Sequence, residues 1–241
     1  MTEEELVAEE LQGLGDSGYT PLMQAVRQRD RDQVECLLLE GADVNVAGRK
    51  GLTALMLSVG KDNSDISQLL LEFGADTSLT DMRGKTALHH AVRAGDKGTV
   101  TSLLEHGAYP NTVAHTEATP LIYAVFDRQW EIMEVLLKWG AAVEVPARGH
   151  IRSALFTAIK GYDPNGSRLA AIPALLEAGA NPHLRDAKGL TALQQLRIQY
   201  EKVTRTVPAT LKNSRNYVHQ WDEARERFAW AIGLLEEAEQ I

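Results

Sequence analysis

A short phrase recurs along the chain, and its period constrains the fold more than any other feature. Its clearest forms are GYTPLMQA, GLTALMLS, GKTALHHA and EATPLIYA, which begin 33 residues apart. The copies start at Gly18, Gly51, Gly84 and Glu117, with a weaker copy at Ile151 and a last one at Gly189. A period of this length indicates a repeat protein. No single unit can cover its own apolar face, so we expect the stacking of neighbouring units to form the core.

Each repeat is predicted to contain two short helices. The Thr or Ser at the third position of the phrase caps the first helix, because its hydroxyl can accept from an otherwise unsatisfied backbone N–H. Pro21 and Pro120 follow two of these caps, at a helical position where the missing N–H costs nothing. The second helix ends in a Leu-Leu-x-x-Gly phrase, whose glycine we expect in the left-handed conformation. The predicted caps are Thr20, Thr53, Thr86, Thr119, Ser153 and Thr191, and the predicted helix-ending glycines are Gly41, Gly74, Gly107, Gly140 and Gly179.

Together these phrases resemble the ankyrin repeat family, over roughly residues 18–191. The resemblance implies an all-α solenoid of stacked helix-turn-helix units, with short hairpin-like turns and helical caps. We assign residues 18–188 to repeats 1–5, with an insertion at 161–167 in the fifth. Residues 189–241 are assigned to a sixth repeat with an extended helical cap. Residues 1–17 are predicted to form an acidic N-terminal capping helix.

Both predicted caps carry an apolar face. In the first, Leu6, Val7, Leu11 and Leu14 are expected to point inward. In the second, a helix from about residue 214 to 239 has apolar residues at helical spacing. They are Tyr217, Trp221, Ala224, Phe228, Ala231 and Leu235. We expect Trp221 in the core of this cap, whereas Trp230 lies off the stripe, so either a buried position or an open contact patch fits it.

The histidines and the cysteine form no catalytic or metal-binding pattern. The resemblance implies that His89 bonds back to the cap Thr86, which is a structural role. His90 lies about 100° further around the helix, so the two cannot present ligands on one face, and a helical zinc pair needs spacing i and i+4. Cys36 is expected to pack as a small apolar residue. We therefore expect no metal, no cofactor and no enzymatic activity.

Charge and cysteine content bear on the compartment and the partner. The formal net charge is −8, which argues against nucleic acid or an anionic membrane as the partner. The only cysteine is Cys36, and the acidic N-terminus lacks the features of a secretory signal. No apolar run is long enough to span a bilayer. We expect an intracellular protein, in the cytoplasm, that is a monomer by itself.

The resemblance also implies that partners bind a concave face, built from the turn tips, the residue after each repeat's first glycine, and the end of each first helix. These 28 positions hold ten Lys or Arg residues and two Asp residues, on a chain whose net charge is negative. The density is highest in repeats 2 and 3. The candidate partner-binding residues are Arg27, Arg49, Lys50, Lys61, Arg83, Lys85, Arg93, Arg152 and Lys160, with Tyr19 and Phe126 as aromatic contacts.

Three functions fit this pattern. The first is a protein-interaction module or adaptor whose basic face holds an acidic or phosphorylated protein segment. The second is an inhibitor or effector that occludes a target enzyme, which the sequence does not separate from the first. The third is a binder of nucleic acid or of a short phosphorylated ligand, against which the acidic termini and low isoelectric point stand.

Overall fold

The computed structural model describes residues 13–14, 18–60, 63–147, 150–160, 166–205 and 215–240. For 146–147, 150–152, 203–205 and 215–221 it describes the backbone alone. The chain divides into two compact units, Met1–Tyr123 (unit 1) and Ala124–Ile241 (unit 2). Several predictions lie outside the described residues: the N-terminal capping helix with Leu6, Val7 and Leu11, most of the insertion, Lys61, and the side chains of Arg152, Tyr217 and Trp221.

Unit 1 consists of antiparallel helix pairs that stack one upon the next. Its helices are α1 (Pro21–Gln28), α2 (Arg31–Leu39), α3 (Ala54–Ser58), α4 (Ser64–Glu72), α5 (Ala87–Ala94), α6 (Lys97–Glu105) and the first part of α7 (Pro120–Phe126). First helices pack on first helices, α1 on α3 and α3 on α5, and second helices pack on second helices, α2 on α4 and α4 on α6. Buried Leu22, Leu55, Leu88 and Leu121 recur at one repeat position and form a row through the core.

The predicted caps begin the first helices. The hydroxyl oxygens of Thr20 and Thr53 accept from the backbone N–H groups of Met23 and Met56 at 3.2 and 3.3 Å. Thr119 accepts in the same way at the start of α7. Two second helices, α2 and α6, use aspartate instead: the carboxylate of Asp30 accepts from Gln33 N–H and that of Asp96 from Thr99 N–H, both at 3.0 Å. These bonds satisfy backbone donors that a helix start leaves open.

Unit 2 contains the rest of α7 and a more varied set of elements. They are α8 (Trp130–Lys138), strands β1 (Glu144–Ala147) and β2 (His150–Ser153), α9 (Ala154–Ile159), a 3₁₀ turn (Ser167–Ala171), α10 (Ile172–Glu177), α11 (Ala192–Arg205) and α12 (Arg215–Ala238). The strands are antiparallel, with Glu144 opposite Ser153. The long helix α12 packs on α10 and α11.

The fold class predicted from the repeats, a helical repeat solenoid, is confirmed. All five glycines expected at the ends of second helices have positive φ, between 79° and 92°. Ala224, Phe228, Ala231 and Leu235 are buried, as the stripe on the last helix predicts. None of the helices in the described part of the chain is long and apolar enough to cross a membrane.

Two predictions about single residues are wrong. Cys36 is exposed rather than packed. It lies two residues after the buried Val34, about 200° around α2, so it points away from the core. Leu14 was expected on the inner face of a helix, but it lies in a non-helical stretch and is 52% exposed.

Candidate partner-binding surface

The tips of unit 1, meaning the turns that precede each repeat's phrase, are tied to one another by backbone hydrogen bonds. Arg49 N–H donates to Gly18 O at 2.7 Å, Met82 N–H to Lys50 O at 3.0 Å, and His115 N–H to Arg83 O at 2.8 Å. Each tip is therefore held directly beside the next. The side chains that the tips carry belong to one continuous edge of the unit.

Six basic residues of unit 1 stand on or next to these tips, and we call them the basic surface. They are Arg27, Arg49, Lys50, Arg83, Lys85 and Arg93. Five of these residues are exposed and Lys85 is buried. None of the six pairs with a carboxylate among the residues that the structure describes.

Four basic residues away from this surface form ion pairs. In unit 1, Arg31 pairs with Glu35 at 2.7 Å on α2. In the described part of unit 2, Lys160 pairs with Asp186, Arg197 with Glu236, and Arg227 with Glu223. Surface ion pairs contribute little to stability. In the described structure, positive charge is therefore paired at these four positions and unpaired at the six positions of the basic surface, as it also is at Lys138 and Arg225 elsewhere.

Two of the six cations lie near the ring of Tyr123, a residue of α7. The ammonium nitrogen of Lys85 lies 5.0 Å from the ring centroid, and the guanidinium carbon of Arg93 lies 5.5 Å from the same centroid. The hydroxyl of Tyr123 is hydrogen-bonded to the hydroxyl of Thr116 at 2.9 Å, which fixes the ring. Both cations are within the range of a cation–π contact. A second such contact joins Arg27 to the ring of Tyr19 at 4.6 Å.

The expectation that Lys85 stands open on the surface is wrong for most of its side chain. Lys85 is only 5% exposed, because its carbon chain is covered where repeats 3 and 4 meet. Three side-chain atoms of the described residues are buried without a hydrogen-bond partner, and the ammonium nitrogen of Lys85 is not one of them. The charged end therefore reaches the surface while the stem is buried, as long basic side chains commonly do.

Asp81 is a buried carboxylate directly beneath the basic surface. One oxygen accepts from the backbone N–H groups of Arg83 and Lys85 at 2.8 and 2.9 Å, and the other bonds to His90 Nε2 at 3.2 Å. Burial alone would raise the pKa of Asp81. The two N–H groups and His90 outweigh burial and hold that pKa below its ordinary value. Asp81 is thus an ionised group that organises the tip.

His90 lies half-buried between this carboxylate and the cations. Burial lowers the pKa of His90, and the charges of Lys85 and Arg93 act in the same direction, against the opposing effect of Asp81. His90 is therefore neutral at pH 7, where its Nε2–H donates to Asp81. Protonation of His90 below the ordinary pKa of histidine would add a positive charge to the cluster.

His89 has the structural role that the resemblance implies. Its Nδ1 accepts from the backbone N–H of Thr86 at 3.2 Å, so the hydrogen is assigned to Nε2, which donates to Ala118 O at 3.3 Å. Burial lowers the pKa of His89 to about 4. The imidazole is a neutral bridge between two repeats rather than a ligand. No group of three or more metal-binding side chains occurs in the described ranges.

The candidate residues of unit 2 are placed differently. Lys160 forms an ion pair with Asp186 at 3.0 Å, so its charge is balanced. The Phe126 ring is 55% exposed and lies 4.8 Å from the guanidinium carbon of Arg168. For Arg152 the structure gives only the backbone, in β2. Unit 2 therefore shows one exposed aromatic residue of the predicted set and no open cation of that set among its described side chains.

Trp230 occupies an open position on α12. It is 48% exposed and borders a shallow groove of about 300 Å³, which Gly166, Leu169 and Arg227 also line. Of the two alternatives for this residue, the open position is the one observed.

Sequence reasoning missed Tyr123 and Asp81 as parts of the surface. Tyr123 lies 33 residues after His90, at the same repeat position. Because residues at the same position of neighbouring repeats stack on each other, a comparison of repeat positions would have placed the Tyr123 ring beside the His90 side chain. Asp81 had a weaker signal, because the preceding and following repeats have Gly48 and Ala114 there and only the last repeat has an aspartate, Asp186.

Comparisons with known proteins agree with the fold. A family model described as ankyrin repeats, in three copies, matches residues 22–114 and 79–147. A solved structure, that of EF0377, an ankyrin repeat protein, aligns with a TM-score of 0.69 at 21% identity, over 87% of this chain and 96% of that one. At this identity the likeness concerns the fold alone. A search of curated protein sequences finds no match.

Proposed function

Since this chain belongs to the ankyrin repeat family, we propose that it is a non-catalytic binding module whose basic surface in unit 1 holds an acidic segment of another protein. Ankyrin repeats are in general protein–protein interaction modules, and their fold is typically non-catalytic. The acidic character of the partner and the location of the site are the parts that we add to the family's general role.

The observation that carries this proposal is the set of uncompensated cations. All six side chains of the basic surface are without a carboxylate partner in the described structure, on a chain of net charge −8. Cations gathered on one face raise the local potential, which speeds association with an acidic partner and selects against a basic one. Arginine adds specificity, because its planar fork can bond a carboxylate or phosphate through two N–H groups at once.

The remaining candidates contribute less to this proposal. Lys160 offers little net charge because Asp186 already balances it. Phe126 lies in unit 2 and remains in the proposed set by itself, as an exposed aromatic residue of a type that often carries binding energy. Lys61 and Arg152 remain in the proposed set on their repeat positions alone.

The proposal includes an adaptor role and a reducing compartment, the cytoplasm, for a chain that is monomeric by itself. The exposed Cys36 thiol, without a second cysteine, fits such a compartment. An inhibitor that covers a target enzyme would use the same surface and differs only in what the partner does. A long nucleic acid fits less well, because the chain's net negative charge would repel it.

Affinity capture with quantitative mass spectrometry tests the proposal. The unmodified chain is compared with Arg49→Glu/Arg83→Glu, which reverses two charges of the basic surface. The matched control is Arg31→Glu/Lys97→Glu, which makes the same charge change in the first turns of α2 and α6, where glutamate is compatible with the helix dipole.

A partner that binds the basic surface is recovered by the unmodified chain and by the control, and is lost from the surface variant. Recovery by all three proteins to the same extent would contradict the assignment of the site. A nuclease-sensitive capture would contradict the class of partner and favour nucleic acid.

A further inference from the structure

We propose that Lys85, Arg93 and Tyr123 form a subsite for a single anionic group, a carboxylate or a phosphate, of the bound protein segment. The inference rests on the proposed function and adds to it the place where one acidic side chain of the partner binds. The three residues are brought together by repeats 3 and 4 of unit 1.

The position of Lys85 in the repeat is the first reason. The equivalent residues of unit 1 are Tyr19, Leu52 and Ala118, none of them charged, although unit 2 has Arg152 there, and the Lys85 side chain is 5% exposed. The ammonium of a lysine that is buried as far as this one keeps only part of its hydration, and a carboxylate or hydrogen bonds normally compensate it. Lys85 has no such compensation among the described residues, apart from the face of the Tyr123 ring.

Both oxygens of Asp81, the carboxylate beside the Lys85 backbone, already have other hydrogen-bond partners. One of its oxygens accepts from the backbone N–H groups of Arg83 and Lys85, and the other is bonded to His90. No ion pair joins Asp81 to the Lys85 ammonium. No carboxylate of the described structure neutralises that ammonium, which leaves it open to an anionic ligand.

The geometry of Tyr123 is the second reason. Its hydroxyl is held by Thr116, and its ring meets the His89 ring edge-on at 5.9 Å, so the aromatic plane is fixed. The ammonium of Lys85 and the guanidinium of Arg93 both lie against this one ring. Two like charges at one ring repel each other, and a shared anion would stabilise both. Lysine supplies a point charge and arginine a planar fork, which together suit a carboxylate or a phosphate.

Peptide binding measured by fluorescence anisotropy tests the subsite. The probes are a labelled hexaglutamate, a hexaglutamine as the neutral control, and a glutamine peptide with one central phosphoserine. Lys85→Leu is the main variant, and it is expected to fold because Leu52 stands at the equivalent position of the preceding repeat. Arg93→Gln is the second variant, and it alters an exposed side chain.

We expect each variant to weaken binding of the anionic probe about tenfold, a size typical for loss of a charged contact. Hexaglutamine should not bind. A Lys85-dependent loss with hexaglutamate identifies a carboxylate as the group read, and the same loss with the phosphoserine peptide identifies a phosphate. Protection of the Lys85 amino group from reductive methylation by the bound probe, measured by mass spectrometry, is expected in the unmodified chain.

The variant Arg49→Gln/Arg83→Gln separates the subsite from the proposed function. If this variant weakens binding of an anionic probe but Lys85→Leu and Arg93→Gln do not, and Lys85 stays reactive, the basic surface stands and the subsite is wrong. If no anionic probe binds the unmodified chain, or if all variants bind as it does, both proposals are overturned.

Discussion

At the scale of single residues, two different side chains accept from the backbone N–H of the cap threonine in different repeats. In repeat 3, His89 Nδ1 accepts from the backbone N–H of the cap Thr86. In the last repeat, Gln194 stands at the equivalent position and its side-chain oxygen accepts from the backbone N–H of Thr191 at 3.0 Å. Both complete a reciprocal capping box. The difference is that histidine titrates and glutamine does not.

The pH dependence of stability should reveal that difference. The pKa of His89 is about 4 in the folded chain, against about 6.5 for an ordinary histidine in the unfolded chain. Between these values the unfolded chain holds more protons, so the free energy of unfolding falls as the pH falls. Urea unfolding at pH 7 and pH 4.5 should show roughly 2–3 kcal/mol more loss in the unmodified chain than in His89→Gln. Parallel losses in the two proteins would contradict the buried neutral imidazole.

Binding should respond to pH through His90 instead. The groups around it are Asp81, Lys85, Arg93 and His89, and burial holds the pKa of His90 below its ordinary value. As the pH falls through its lowered pKa, His90 gains a positive charge beside the two cations. Affinity for hexaglutamate should then rise about two- to threefold, the size of one partly screened charge contact.

His90→Gln is the matched variant for this prediction. Gln195 stands at the equivalent position of the last repeat and donates to Asp186 at 2.6 Å, so a glutamine can keep the bond to the tip carboxylate. The rise in affinity should be absent from this variant. An equal rise in both proteins would assign the effect to other groups.

At the scale of elements, the turn tips are what position the surface, and their glycines differ in what surrounds them. Gly84 has φ +70° in the tip that carries Arg83 and Lys85, and an added Cβ would lie 2.8 Å from His115 Cδ2 and 3.1 Å from its backbone nitrogen. Gly107 ends α6 with φ +81°, and nothing lies within 4 Å of an added Cβ. Both positions favour glycine, but only the first also needs close contact with a neighbouring tip.

Gly84→Ala and Gly107→Ala separate these two requirements. Each variant should lose about 1 kcal/mol because alanine is strained at positive φ. Gly84→Ala should lose a further 1–2 kcal/mol, roughly the size of an overpacked contact, since the His115 backbone is tied to Arg83 O and cannot easily move. Urea unfolding of the two variants measures the difference. Equal losses would mean that the tips are not packed as closely as described.

The helix boundaries could be predicted from the sequence because they depend on neighbouring residues. The side-chain arrangement of the surface was less predictable. The caps Thr20 and Thr53 and the glycines at the ends of second helices depend on a few neighbouring residues, and these predictions are confirmed. The burial of Lys85 depends on what the next repeat places over it, namely Tyr123. The exposure of Cys36 depends on which side of α2 meets α4, and helical spacing from Val34 already carried that information.

At the scale of the whole molecule, charge is segregated rather than merely negative. The chain has 25 basic and 33 acidic residues, yet the six cations of the basic surface are without carboxylate partners in the described structure. Net charge alone would predict repulsion of an acidic partner. The local arrangement predicts attraction, because screening in physiological salt limits the reach of distant charges to about 8 Å.

The measurement that tests this account most directly compares two double variants of equal net charge. Arg49→Glu/Arg83→Glu reverses charge on the basic surface, and Arg31→Glu/Lys97→Glu reverses it on the second helices. The dissociation constant of hexaglutamate is measured for both and for the unmodified chain. The account predicts a loss of at least about tenfold for the surface variant and little change for the control. Equal weakening in both variants would show that net charge, and not the basic surface, governs binding, and would contradict the central claim.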